Sequence, residues 1–323
     1  MTMTQISVII PTRDRWMLLG CAARTALSQT DVAVELIVID DGSSSPPPPD
    51  PIWSDPRVRL IRHERTQGHF AARNTGNEAA RGQWLAWLDD DDLWAPFKLS
   101  RQLAEATTGG ATLVYSSAVA VDRYLRPLEY WPAPPADGLA RALVADALIP
   151  AGSSNVLANR EAVLMCGGFD TSFAHLGDWD MWLRLARKGP ARRCEETLVA
   201  YVMHGGNMHL RGEGLMDEFD RLAVKHAAWA EAANTRFHRI GFSHYPIRGL
   251  VQQRRYLKAV ALAADCCLRP PTRASVRVAA SALAGARVAA GYRRLRSGPP
   301  PPPPPWLGEL RAATLVSSSS HSR

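Results

Sequence analysis

Five short strand-like runs, set apart by helix-sized intervals, constrain this chain more than any other feature. They are "ISVII" (6–10), "VELIVI" (34–39), "VRLIR" (58–62), "WLAWL" (84–88) and "TLVYS" (112–116). Runs that are apolar nearly throughout belong to strands covered on both faces, and such strands occur in parallel sheets whose crossovers are helices. Between the first two, Trp16, Leu19, Ala23, Ala26 and Leu27 recur at helical spacing and define a face that packs on the sheet. The stretch "ERTQGHFAARNTGNEAARG" supplies a second crossover helix, with Gly82 placed to end it. The pattern predicts an α/β, Rossmann-like, mostly parallel sheet flanked by helices.

Prolines and charge divide the rest. "SSSPPPPDP" (43–51) reads as an extended surface loop, and "YWPAPPADG" (130–138) marks the passage into a second half. From 215 the pattern turns helical, with "GLVQQRRYLKAVALAADCCL" and "TRASVRVAASALAGARVAAGYRRLR" as its clearest segments. The expected organisation is a sheet-based unit over 1–214 (halves 1–130 and 131–214), a basic helical extension over 215–296, and a disordered Pro/Ser-rich tail over 297–323. Residues 236–323 hold 15 Lys and Arg against 2 Asp and Glu, whereas the preceding body carries net −6. In the extension Arg273, Arg277, Arg287 and Arg294 lie near one helical face and Val276, Leu283 and Ala290 on another. Such helices suit an anionic membrane surface and equally suit packing on the sheet unit. The patch lacks interleaved aromatics, and nucleic acid is not an expected partner. Five scattered cysteines without a C-x-x-C pair indicate neither a disulfide framework nor a zinc site. With no apolar run long enough for a signal or a span, the expectation is a cytoplasmic protein, with a peripheral seat at the inner membrane face open to it.

In an open parallel sheet, ligands bind beyond the carboxyl ends of the strands, near a reversal of strand order. Three of these strands run into Pro11-Thr12, into Asp40-Asp41-Gly42-Ser43, and into Asp89 to Asp92. Six carboxylates on one rim require a cation or a set of hydrogen-bond donors to offset their repulsion. Mg²⁺ or Mn²⁺ suits that need, because such ions combine one or two carboxylates with water and substrate phosphates. Neither glycine-rich phosphate loop follows the first strand, so diphosphate recognition falls to the metal, with help from Arg13, Arg15 or Arg73.

Taken in order, "SVIIPTRDR", "LIVIDDGSS", "GHFAARNTGNEAARGQWLAWLDDDDLWAPFKL", "GGFD" and "GDWDMWLRLARKG" resemble a family 2 glycosyltransferase with the GT-A fold, over about residues 5–210. The resemblance implies transfer of a sugar, with inversion, from a UDP- or TDP-sugar to an acceptor hydroxyl. The acceptor would be a glycan, a lipid-linked sugar or a small molecule, in polysaccharide, glycolipid or secondary-metabolite glycosylation. It places Pro11, Thr12 and Arg13 around the base and gives Asp40 a ring N–H to accept. Arg73 contacts the donor nucleotide. The family's D-x-D signature falls on Asp89-Asp90-Asp91, with Asp91 the direct metal ligand, Asp89 toward the ribose or metal waters, Asp90 a secondary nucleotide-sugar contact, and Asp92 a cap for the next helix. Asp178 becomes the general base, with Gly177 standing where the family usually has glutamate. His204 approaches the diphosphate or metal, and Ser153, Ser154 and Asn155 lie on the acceptor side. Asp180 and Arg184, at i and i+4, form a structural ion pair. Competing readings are a noncatalytic sugar-nucleotide-binding module and a metal-dependent phosphohydrolase.

Overall fold

Every one of the five apolar runs is a strand in the computed structural model, which describes residues 5–204, 214–268 and 302–320. β1 (Ile6–Thr12) and β2 (Val34–Asp40) are buried at all their residues, as strands between two helical layers must be. With β3 (Val58–Arg62) and β4 (Trp84–Trp87) they form a parallel set in the order β3-β2-β1-β4. The sheet continues through β8 (Leu157–Asn159), β6 (Leu113–Val121), β9 (Ala191–Val202) and β5 (Leu93–Trp94), with β7 (Pro127–Trp131) as a hairpin on β6. Pairings of β8, β5 and β7 are antiparallel and short, whereas β6 and β9 run parallel along their length. The sheet is therefore mostly parallel, as predicted. Because β2 and β4 flank β1 on opposite sides, the strand order reverses between β1 and β4, and a crevice opens at their carboxyl ends.

Strand alternation sends neighbouring side chains to opposite faces. Ile6, Val8 and Ile10 meet Leu19 and Ala23 of α1 (Trp16–Leu27) on one face. On the other face, Ile9, Ile37 and Trp87 meet Phe70 of α2 (His69–Ala79) and Trp182 of α6 (Gly177–Leu185). The α2 contact is close: a Cβ on Gly76 would fall 2.4 Å from Ile9 Cγ2. Outside these lie α3 (Lys98–Thr107), α4 (Leu139–Ala145) and α5 (Arg160–Met165).

Gly82 does not end α2, which stops at Ala79 with Ala80 in extended conformation; its lack of a side chain instead lets the backbone pass β1, where a Cβ would be 2.7 Å from Ser7 N. The boundary at 214/215 does not separate two packing units. Leu215, Met216, Phe219 and Leu222 of α7 (Leu215–Lys225) belong to the same core cluster as Trp179 and Trp182. α8 (Ala227–Ala232), α9 (Arg239–Phe242), α10 (His244–Gln252) and α11 (Tyr256–Leu268) follow. Within the tail expected to be disordered, Pro305–Ser320 form α12, and Trp306 and Leu307 are buried in the main core, with Trp306 Nε1 donating to Thr197 O at 2.9 Å. Arg273, Arg277, Arg287 and Arg294 lie outside the described residues. Among the described residues, no helix is long and apolar enough to cross a membrane.

Candidate active site

The crevice at the β1/β4 reversal is a cleft of about 910 Å³. The ends of β1 and β4 bring Pro11, Thr12, Arg13 and Asp89 to Asp91 into its wall; Arg73 comes from α2, Ser153 from a short turn ahead of β8, and Asp178 from the first turn of α6. Residues distant in sequence thus converge because the carboxyl ends of β1 and β4, the turn ahead of β8 and the first turn of α6 share one edge.

The aspartate run is divided by hydrogen bonding. Asp89 pairs with Arg73, whose side chain is 4% exposed and whose guanidinium lies 5.4 Å from the centre of the Phe70 ring and 5.7 Å from that of Phe169. Arg73 Nε and Nη1 have no hydrogen-bond partner, an arrangement able to receive an acceptor. Asp90 accepts from Thr12 Oγ1 at 2.7 Å and from Arg15 Nη1 at 3.1 Å. Asp91 accepts from Arg15 Nη1 at 2.8 Å and meets His204 Nε2 at 2.8 Å, so the two residues expected at a metal are in contact. Asp92 corrects the sequence reading. It caps no helix, since α3 begins six residues later at Lys98. It is fully buried and takes Ser154 Oγ at 2.5 Å and Val202 N–H at 3.1 Å, tying the run to β9. Burial pushes Asp92 well above the usual carboxylate range and Asp89 upward; burial and then the Asp91 charge push Asp90 up to about 7.

Asp89, Asp91 and Asp92 offer carboxylate oxygens within 4.8 Å of one another. Crowded hard oxygen donors of this kind fit a divalent cation such as Mg²⁺ or Mn²⁺.

Asp178 faces this rim from the second half. Its Oδ1 accepts the Trp179 N–H at 2.7 Å, and Gly152 makes room for Oδ2: a Cβ there would stand 2.7 Å away. Burial pushes its carboxyl up to about 6, a value suited to a base working near neutral pH. Asp180, two residues on, is turned away into the ion pair with Arg184 (2.6 Å) and also meets His226 and Lys225.

Asp40 is fully buried behind the cleft, its Oδ1 accepting the Ser43 N–H at 2.8 Å and its Oδ2 making no hydrogen bond. Its neighbour Asp41 is the one on the cleft wall. There it takes Gln67 and Gly68 N–H, Thr66 Oγ1 and His63 Nδ1, fixing the loop before α2. Of the expected acceptor trio, Ser153 reaches the cleft, whereas Ser154 and Asn155 are fully buried and occupied as braces. Asn155 bonds Ser116 and Pro150, and Ser154 serves Asp89 N–H and Asp92. Sequence reading missed His69, His175, Trp131 and Tyr201, all on the cleft wall. Burial pushes His69 down to about 3, keeping it neutral. Only the position of His69 just ahead of "FAARN" carried any signal; the others come from strand ends and loops without a pattern.

In a doubly flanked α/β sheet, the cleft at the strand reversal is the place where ligands bind. The family model described as Glycosyl transferase family 2 matches residues 7–139. Over 93 residues the chain is 44% identical to the succinoglycan biosynthesis protein ExoO of Rhizobium meliloti (strain 1021), covering 28% of this chain and 27% of that one. The chain thus spans about a quarter of that relative's length. It is 25% identical over 215 residues, 64% of this chain and 80% of the other, to the Escherichia coli protein described as UDP-Glc:alpha-D-GlcNAc-diphosphoundecaprenol beta-1,3-glucosyltransferase WfaP. The crystal structure of S. aureus TarS 1-349 in complex with UDP-GlcNAc superposes with a TM-score of 0.56 at 12% identity, over 90% of this chain and 92% of that one, and shares its fold. The match to the family 2 glycosyltransferase model thus takes in β1 to β4 and the aspartate run, whereas Asp178 and His204 lie beyond the matched stretch.

Proposed function

We propose that the chain is an inverting glycosyltransferase that moves a sugar from a UDP- or TDP-sugar to an acceptor hydroxyl. The observation that carries this reading is the meeting, in one cleft, of the Asp89 to Asp91 rim and a half-buried Asp178 whose carboxyl is pushed up to about 6. Asp178 takes the acceptor proton as its oxygen attacks the anomeric carbon from the face opposite the leaving diphosphate, which inverts that carbon. Positioned base catalysis of this kind contributes about 10²–10⁴-fold. Pro11, Thr12 and Arg13 flank the base of the nucleotide. Asp40 Oδ2, which makes no hydrogen bond and has Arg62 Nε at 3.4 Å, is the acceptor the reading gives to the imide N–H of uracil or thymine, and the two buried Arg73 nitrogens without a hydrogen-bond partner suit the donor's oxygens. A divalent cation held by Asp91, with Asp89, Asp92 and His204 around it, would neutralise charge on the diphosphate. Ser153 remains the acceptor-side contact of its trio.

The printed activity of WfaP, glucosyl transfer onto a diphosphoundecaprenol-linked sugar, favours a lipid-linked acceptor in cell-surface polysaccharide synthesis. Peripheral contact with the inner membrane face agrees with α11, where Tyr256 and Leu257 are 56% and 88% exposed beside Lys258. The test is UDP release from UDP-glucose with Mn²⁺, with and without an alkyl GlcNAc-diphosphate acceptor. Acceptor-stimulated release that Asp178→Asn lowers by about 10² or more, with UDP affinity kept, is the expected result. UDP binding without any release would favour the noncatalytic module, and phosphate release from simple esters the phosphohydrolase.

A further inference from the structure

The segment that carries Asp178 into the cleft has no cap of its own. α6 opens after Leu176, whose side chain offers no acceptor. Position 177 cannot contribute, since a Cβ on Gly177 would stand 2.6 Å from Phe70 Cε2. The backbone N–H groups of Ala174, His175 and Leu176 lie ahead of the helical ladder and need an acceptor from elsewhere. One carboxylate, Glu218 in the first turn of α7, takes all three: Oε1 accepts from Ala174 at 2.8 Å, and Oε2 from His175 at 2.9 Å and Leu176 at 3.0 Å. His175 Nδ1 lies 3.3 Å from Oε1 as well, with the ring of His175 on the cleft wall. Glu218 is 6% exposed. Burial opposes its charge, yet His175 and the three backbone donors hold its carboxyl down at about 2. The far end of α7 grips the same region, Lys225 reaching Asp180 at 2.8 Å and Asp170 at 2.6 Å.

We propose that Glu218 is a positioning residue for Asp178: by collecting the N–H groups of 174–176 it sets the entry of α6 and so the direction in which the Asp178 carboxylate faces the cleft. Its catalytic meaning rests on the reading of Asp178 as the base, whereas the mechanical link does not. Glutamine at 218 keeps the shape but offers one acceptor oxygen to three donors and turns an NH₂ group toward the rest.

The test is residue-resolved amide exchange by NMR on the full chain, wild type against Glu218→Gln, read at Trp179, whose N–H donates to Asp178 Oδ1. Exchange is expected to rise about tenfold or more at Ala174 to Leu176 and at Trp179, with α2 amides and UDP affinity in Mn²⁺ within about twofold of wild type. Turnover of UDP-glucose should fall in kcat with its KM held, and Glu218→Gln should add little to Asp178→Asn, because both act through one group. Opening confined to α7 or to 174–176 with Trp179 still protected would overturn the proposal, as would full additivity of the two substitutions. If Glu218→Gln does not fold, Glu218→Asp, which keeps the charge on a shorter arm, should open the same amides to a smaller degree; unchanged exchange at Trp179 would refute the link. Near-normal turnover by Asp178→Asn, with Trp179 opening as expected in Glu218→Gln, would remove the base and leave the link standing.

Discussion

At the scale of single residues, four consecutive aspartates have four different environments, and none of this division is written in "DDDD". Asp92 illustrates why. Its partners, Ser154 Oγ and Val202 N–H, are 62 and 110 residues away, so local capping rules had nothing to weigh against the cap reading. Asp91 and His204 were legible together because the family motif names both positions, and their contact at 2.8 Å follows from β9 pairing with β5 just after the run. For Asp178, the pKa of about 6 makes a signed prediction. A base must be ionised to accept a proton, so kcat/KM should fall below about pH 6 and level off above it. A pH–rate profile of UDP-sugar turnover checks this; activity that rises as pH drops through 6 would contradict the base role.

At the scale of elements, the first half was readable because strands buried on both faces leave uninterrupted apolar runs, and because α1 and α2 lie between them at crossover length. The second half was less so. β8 has three residues and β5 two, too few for periodicity to register, and α7 joins the core through Phe219 and Leu222 although its sequence looks like the start of an extension. Gly177 packs α6 directly against Phe70 of α2. Gly177→Ala should destabilise the protein by about 1–3 kcal/mol, the usual cost of forcing an extra carbon into a packed contact, measured as a lower urea midpoint with an unchanged m-value. Gly152→Ala should act differently. Its φ of +49° and the 2.7 Å approach to Asp178 Oδ2 mean that the added carbon displaces the carboxylate itself, so kcat should drop by about tenfold or more while UDP affinity is retained.

At the scale of the whole molecule, the chain returns after its basic segment to dock on the domain it left. The proline run ahead of α12 reads as disorder by composition alone. What composition cannot register is the pair that follows it, Trp306 and Leu307, at 4% and 2% exposure in the core cluster that contains Leu198 and Val199 of β9. β9 leads directly to His204, so this clasp supports the strand that delivers a candidate ligand. Trp306→Ala should cost about 3–5 kcal/mol of stability, read by urea denaturation; a cost below about 1 kcal/mol, the range of a surface substitution, would show that the clasp is not part of the folded core.

On this reading the aspartate rim binds a nucleotide diphosphate together with a divalent cation. Calorimetric titration of UDP into the purified protein, with and without Mn²⁺, for wild type and Asp91→Asn, tests it most directly. Binding should require the metal and be lost in the folded variant, with TDP as the comparison that ranks the base. Binding of neither nucleotide to folded wild-type protein under any metal condition, or metal-dependent binding unchanged in Asp91→Asn, would contradict it.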